Sequence, residues 1–457
     1  MRAGREAAIK KAFHLALGAL FAAIASSLAL AQDAAAALAE DAAPASPRVD
    51  TGDTAWVLQA AGLVMLMTPG LAFFYGGLVR RKNVLSVLMQ CIIILCIISL
   101  QWVLFGYSLA FGPDVAGVIG NLKWAALSGV GAAPNVDYAP TIPQNAFMIF
   151  QAMFAVITPA LILGAFAERM RFGAFCLFSL MWATLIYDPI CHSVWASGGF
   201  LKTLGVLDFA GGTVVHINAG LSALAAALFL GKRQGYPHAI SPPHNLPFAV
   251  LGAGLLWFGW FGFNAGSALG ASGLAASAFV ATNTAGAAAG LAWAALDWRY
   301  NGKPTMFGVI TGAVAGLAAV TPASGYIGVL PAIVIGVAAS VFCFLAATII
   351  KTRLGYDDSL DAFGVHGIGG IVGTLATGIF ASKAINAAGD NGLIYGNPRL
   401  MLVQLAAVTA TVLFAFFGTL FLMTVVNAVT RLRVTEHDER VGLDLTQHRE
   451  AGYTLVD

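Results

Sequence analysis

The sequence predicts an all-α polytopic membrane protein of eleven transmembrane helices, ten of them forming an inverted repeat of five plus five and the last standing outside it. Three observations predict it. Of 457 residues, 59% are hydrophobic and 10% charged, where a soluble chain carries roughly 25% charged residues. Eleven apolar segments follow one another, each near the ~20 residues a bilayer requires. Two histidines, His216 and His366, lie in apolar, glycine-rich stretches, and each follows an aspartate, Asp208 and Asp358, by eight residues. Ionisable groups at membrane depth are costly and by default mark a functional site.

The elements follow in chain order. Arg2, Arg5, Lys10 and Lys11 precede the apolar run LALGALFAAIASSLA and the small-x-small triplet Ala29-Leu30-Ala31. Residues 1–31 therefore read as a cleavable signal peptide, with a short extra transmembrane helix as the competing reading. Residues 32–53, rich in alanine, proline and acids, form an extracytoplasmic lead-in. The membrane domain spans 54–430, with segments near 54–79, 84–111, 145–167, 172–196, 209–231, 247–270, 272–297, 305–322, 325–350, 359–382 and 399–430. Interior glycine and proline are tolerated in such helices, and the 52 glycines suit close helix packing in lipid. The five cysteines, Cys91, Cys96, Cys176, Cys191 and Cys343, show no metal-ligand spacing and read as small apolar packing groups. Residues 431–457 form a charged tail.

Lysine and arginine set the orientation. One set of alternate loops holds Arg80, Arg81, Lys82, Arg169, Arg171, Lys232, Arg233, Arg299, Lys303, Lys351 and Arg353, and the tail adds Arg431, Arg433, Arg440 and Arg449. The opposite loops hold only Arg48, Lys123, Lys202, Lys383 and Arg399. The mature N-terminus is therefore expected outside and the C-terminus in the cytoplasm, as an odd number of spans and a cleaved leader both require.

Segment 5 then enters from outside near Asp208 and segment 10 from inside near Asp358. A helical rise over eight residues carries each histidine ~12 Å inward, toward the middle of a core of ~30 Å. The two segments run antiparallel and are five spans apart, as an inverted repeat demands. Small residues flank both histidines at one-turn spacing, Gly212 and Gly220 in one case, Ala362 and Gly370 in the other, so two backbones can approach closely and the rings can meet. A lone membrane histidine is often only a packed, hydrogen-bonded one; the matched pair favours a shared polar site. Neutral imidazoles each offer one donor and one acceptor, which suits a small hydrogen-bonding solute or a relayed proton. A bare alkali cation needs rings of oxygens. Aromatic residues supply a second clue. Trp195 closes segment 4, Phe154 lies inside segment 3, and Trp260, Phe261 and Phe263 lie in segment 6. Such rings are commonly lipid-facing or core, but an outer cluster can hold a small cation by cation–π contact, and deeper phenylalanines can gate by excluding water.

The motifs DFAGGTVVHINAG, GWFGFNAGSA, GAFAERMRF, TPASGYIG and FGVHGIGG together resemble the ammonium transporter (Amt/Mep/Rh) family, on its bacterial Amt branch, over nearly all of the mature chain. The resemblance implies that Trp195, Phe154 and Ser267 recruit ammonium, supported by Asp208. It implies that Phe154 and Phe263 form the pore gate and that His216 and His366 are the twin histidines of the pore. Gln151, Trp260 and Thr321 match further vestibule and pore positions, and Asp358 a supporting one. It also implies one pore per subunit, a homotrimer in the plasma (inner) membrane, NH4+ capture and deprotonation with passage of NH3, and a tail that answers to a PII-type signalling protein. Ser324 stands where a cysteine is common in TPASG. Read without the resemblance, the tail is equally a solvated terminus.

Two other classes compete: an ammonium sensor with low flux, and a bis-histidine haem protein carrying electrons across the membrane. The transporter reading needs no cofactor and no metal, and no nucleic-acid partner is expected. No nucleophile, metal triad or phosphate loop supports an enzyme.

Overall fold

The computed structural model describes residues 47–238 and 242–453. The expected signal peptide lies outside them, as does most of the lead-in. Among the described residues, ten helices are long and apolar enough to cross a membrane, and an eleventh apolar helix is shorter. In chain order they are α1 Thr51–Leu78, α2 Arg81–Phe111, α3 Gln144–Phe166, α4 over 172–195, α5 Gly212–Leu230, α6 Leu246–Gly266, α7 Gly273–Asn301, α8 Met306–Val320, α9 Val329–Leu354, α10 Phe363–Phe380 and α11 Pro398–Val429. All eleven expected segments are present. α1 begins at Thr51, a little before the boundary read from hydropathy, because the Asp50 carboxylate accepts the Asp53 amide at 2.8 Å and caps the helix there.

Three chain entries differ from the sequence expectation. The 15 residues of α8 rise only ~22 Å, too short to span alone; the turn after it, with Thr321, Ala323 and Ser324 all fully buried, completes the crossing. Likewise α5 starts at Gly212 rather than at Asp208, and α10 at Phe363 rather than at Asp358. Each histidine therefore lies a single turn into its helix and reaches its depth by buried, non-helical backbone. Irregular backbone survives at membrane depth only when protein encloses it, and these segments are enclosed: Asp208 and Ala210 are 6% and 0% exposed, Asp357 and Asp358 each 1%.

Glycine sets the two central crossings. Where α1 meets α6, a Cβ on Gly252 would stand 2.1 Å from the Phe74 amide nitrogen. Where α5 meets α10, a Cβ on Gly220 would stand 2.1 Å from the Gly367 nitrogen, and one on Gly370 would stand 2.9 Å from the Ile217 nitrogen. The contact is reciprocal: the residue four beyond each histidine packs on the residue directly after the other. That exchange is what a two-fold axis between inverted halves produces.

Two short hairpins, Asp114–Val115 with Ile119–Gly120 and Pro134–Asn135 with Ala139–Pro143, cover one side of the bundle between α2 and α3. The charged tail covers the other. It is docked there, not solvated, over its described residues. Arg171 donates its amide to Leu432 and Val434 donates to Arg169; Leu443 donates to the Asn83 side chain and Ser86 to the Asp444 carboxylate, both at 2.8 Å. The short helix Glu436–Val441 carries a Thr435–Asp438 capping box. Beneath it, Glu168 (φ 74°) accepts from the Arg80 amide and guanidinium, from Asn83 and, at 3.0 Å, from Arg233, which also pairs with Asp357 at 2.8 Å. Burial alone would raise the Glu168 carboxyl, but Arg80 and Arg233 hold it below its ordinary value. Its stabilising contribution is complete above the ordinary glutamate range and is lost as pH falls through the lower folded-state value. Glu168→Gln leaves two guanidiniums facing a neutral amide and should cost about 3 kcal/mol. Thermal melting in detergent should drop and protease should cut the tail faster; an unchanged melt would show that the network carries no stability.

Candidate functional site

The eight-residue spacing seen in the sequence is a capping device. The Asp208 carboxylate accepts from the backbone amides of Gly211 (2.8 Å), Gly212 (2.6 Å), Thr213 (2.8 Å) and Val214 (3.2 Å), and from the Thr213 hydroxyl. It thus satisfies the free donors at the N-terminus of α5 and sits against the positive end of that helix. Asp358 does the same for α10, accepting from Ala362 at 3.1 Å and Phe363 at 2.8 Å. Each capped helix opens with a π-helical turn, Gly212–Ile217 and Phe363–Gly367, and each turn carries the histidine. Such wide turns cluster at functional sites because they re-aim a side chain.

The turns bring the two rings together. His216 and His366 are 1% and 3% exposed, with centroids 5.3 Å apart and planes 12° apart. Both ring nitrogens of His216 and Nδ1 of His366 have no hydrogen-bond partner in the protein. Unpartnered buried polar atoms cost about 1–3 kcal/mol each, so a cluster of three in one place makes this a candidate position for a small polar molecule. The backbone contact of Gly220 with Gly367 leaves no gap for a porphyrin between these helices, which removes the haem reading.

Toward the hairpins, His216 faces Trp260 (5.5 Å) and Phe263 (5.9 Å). Phe263 lies against the fully buried Phe154 at 4.3 Å, and Phe154 meets Trp195 edge-on at 5.8 Å. Trp260 is fixed by its indole N–H on Thr321 (2.9 Å), and Thr321 donates to Leu317; the pair backs His216. Trp195 donates its indole N–H to the Asp208 carbonyl at 2.8 Å, and Ser267 donates to the Phe263 carbonyl at 2.9 Å. Beyond the phenylalanine pair opens a recess of about 150 Å³ whose lining includes Gln151, Trp195 and Ser267 together with Tyr138, Asp137 and Lys202. On the tail side His366 borders a second, tighter recess with Tyr75, Val314, Leu360 and Asp361. A single line therefore runs from recess to aromatic pair, to His216, to His366, to recess.

Trp195, Phe154, Phe263, Gln151, Ser267, Trp260, Thr321, His216 and His366 lie on or beside this line. Asp208 and Asp358 differ in detail: their carboxylates face their own helix termini. Phe261 lies off the line, stacked on Phe279 at 3.9 Å. Sequence reasoning missed Tyr75, Val314 and Leu360, apolar positions in apolar segments with nothing to mark them, and Tyr138 and Lys202, which sit in connecting segments. Asp361, a further acid in DSLDAF, carries the same signal as Asp358, a charge at the entry to an apolar run.

Among the described residues, eleven helices around one internal line of buried polar and aromatic groups define a polytopic membrane protein with one pore through the chain. Residues 55–453 match the model of the Ammonium Transporter Family, and the chain belongs to that family. It is 52% identical over 402 residues to an ammonium transporter of Bacillus subtilis, covering 88% of this chain and 98% of that one. The crystal structure of Candida albicans Mep2 superposes with a TM-score of 0.82 at 35% identity, covering 89% and 94% of the two chains. A protein described as a sensor Amt protein superposes with a TM-score of 0.80 at 31% identity, covering 87% and 98%. The family is one of ammonium transporters and not of enzymes by its description, and ammonium transport across a membrane is the activity it brings to this chain.

Proposed function

We propose that ammonium is recruited as NH4+ in the recess beside the hairpins, gives up a proton there to the water outside, and crosses as NH3 past the Phe154–Phe263 pair and the two histidines. The observation that carries this reading is the row of unpartnered imidazole nitrogens directly behind a closed aromatic pair. The π faces of Trp195 and Phe154 attract a small cation, and the Ser267 hydroxyl offers it an acceptor. A permanent charge at the bilayer centre is expensive, while ammonia carries none. Potassium is attracted by the same rings but has no proton to release, so deprotonation selects where size alone would fail. Gln151 completes the recess, Trp260 and Thr321 hold the wall behind His216, and Asp208 and Asp358 lock the two histidine-bearing turns.

In this reading residues 1–31 are a signal peptide, 32–53 a lead-in and 54–430 the transport domain. The hairpins face outward, the tail over 431–457 faces the cytoplasm, and the chain sits in the plasma (inner) membrane as a homotrimer. The docked tail is the surface on which a PII-type signalling protein would act.

Trp195→Ala removes a π face and should raise the ammonium concentration for half-maximal uptake about tenfold, the effect of a cation–π contact of ~1.4 kcal/mol, with assembly preserved. Uptake at low ammonium equal to wild type would count against recruitment by Trp195. The scheme as a whole is tested by following ammonium and potassium uptake in parallel into proteoliposomes loaded with a pH-sensitive dye: ammonium uptake should raise the lumenal pH, and potassium uptake at a matching rate would end it. The likeness to a sensor Amt protein keeps a second reading in play, a receptor with low flux, and normal ammonium binding without methylammonium uptake would favour it.

A further inference from the structure

The recess carries two charged side chains, Asp137 and Lys202. Only Lys202 is bonded to a recruiting residue. It donates its ammonium to the Trp195 carbonyl at 2.9 Å and stands 5.9 Å from the centroid of the Tyr138 ring. The arm that carries it is fixed at its base. Phe200 donates its amide to Gly117 of the first hairpin at 2.9 Å. Gly199 lies so close to α4 that a Cβ there would stand 2.2 Å from the His192 carbonyl. Tyr138 is fixed in turn, stacked on Phe147 at 5.2 Å with its hydroxyl on the Phe111 carbonyl at 2.7 Å. A primary ammonium on a π face, in a recess that receives ammonium on π faces, is a resident copy of the substrate's own charge.

We propose that Lys202 sets the affinity of the recess: its fixed positive charge opposes the arriving cation, while its hydrogen bond holds the backbone of Trp195. The inference rests on the recruitment reading above. Repulsion of this kind acts alike on ammonium, methylammonium and potassium, since all carry one charge. It lowers occupancy of the recess without choosing among ions and leaves selectivity to the deprotonation step. Two like charges several ångströms apart in a partly hydrated recess alter binding by a few-fold, and salt screens the effect.

The test compares wild type, Lys202→Gln and Lys202→Arg in proteoliposomes, following ammonium and methylammonium uptake at ionic strengths of roughly 10 mM and roughly 200 mM, where the screening length falls several-fold. Lys202→Gln keeps a donor for the Trp195 carbonyl and removes the charge. Its KM at low ionic strength should be about threefold below wild type for both solutes, and the difference should shrink toward nothing at high ionic strength. Lys202→Arg keeps the charge and should keep the wild-type salt dependence. A Lys202→Gln KM at or above wild type at low ionic strength overturns the proposal, as does a difference that salt does not change. Trp195→Ala measured alongside separates the two claims. If that variant leaves KM unaltered, recruitment itself fails; if it raises KM while Lys202→Gln lowers nothing, only the role of the lysine falls.

Discussion

Replacing His216 and His366 together with leucine is expected to abolish ammonium-selective transport, by at least about a hundredfold, while the protein still folds and inserts. Both rings are buried, and three of their nitrogens find no partner in the protein. Leucine is close in volume and brings no polar atom, so the exchange removes a standing desolvation cost rather than adding one. Stability should hold or rise slightly. The solute loses the polar groups it meets after the aromatic pair, and an apolar constriction without them gates by staying dry. A loss of ~2.7 kcal/mol of stabilisation along the path is a factor of about a hundred. The rings touch one environment, so the two single variants should not add up to the double one. Ammonium and methylammonium uptake in proteoliposomes measure this, with potassium uptake as the selectivity readout and melting in detergent as the folding control. Wild-type selectivity over potassium in the double variant would show that the histidines do not form the conduit.

What the sequence disclosed and what it withheld follow from one physical difference. Periodic, membrane-length apolar runs announce themselves, and a helix is found for each of the eleven segments, though α5 and α10 begin later than hydropathy puts them and α8 is short. The histidine pair was legible because a polar group in an apolar run is an anomaly. The reciprocal packing of Gly220 and Gly370 was legible because small residues recur at one-turn spacing. Capping was harder to see. Asp208 and Asp358 look like charges entering a helix, whereas they close turns that begin four or five residues later, and a non-helical lead-in leaves no period to detect. The tail-side recess stayed hidden because Tyr75, Val314 and Leu360 are ordinary members of apolar faces. The docking of the tail was hidden too: its hydrogen bonds go to loop backbones such as Arg169 and Arg171, and a charged run reads the same whether those partners are present or not.

Gly220→Ala should be far more damaging than one methyl group suggests, and it tests whether the helix crossing holds the histidine pair. The added Cβ would lie 2.1 Å from the Gly367 nitrogen, 2.2 Å from its Cα and 3.0 Å from the His366 carbonyl carbon. Ordinary contact needs more than an ångström of additional room at the first two. All three neighbours are backbone of α10, so no rotamer change relieves the clash and the helices themselves must part. Overpacking of this sort costs ~1–3 kcal/mol or more in well-packed interiors, against the fraction of a kilocalorie that alanine gains over glycine inside a helix. Separation at this crossing also draws His366 away from His216, because Gly367 is its immediate neighbour. The expected result is a lower melting temperature together with near-complete loss of ammonium uptake in whatever protein folds. Gly62→Ala is the control: a Cβ at that position in α1 meets nothing within 4 Å, and the variant should melt and transport as wild type does. If Gly220→Ala transported normally, the two rings would owe their relation to something other than this backbone contact, and the close approach of α5 and α10 would have to be explained by packing alone.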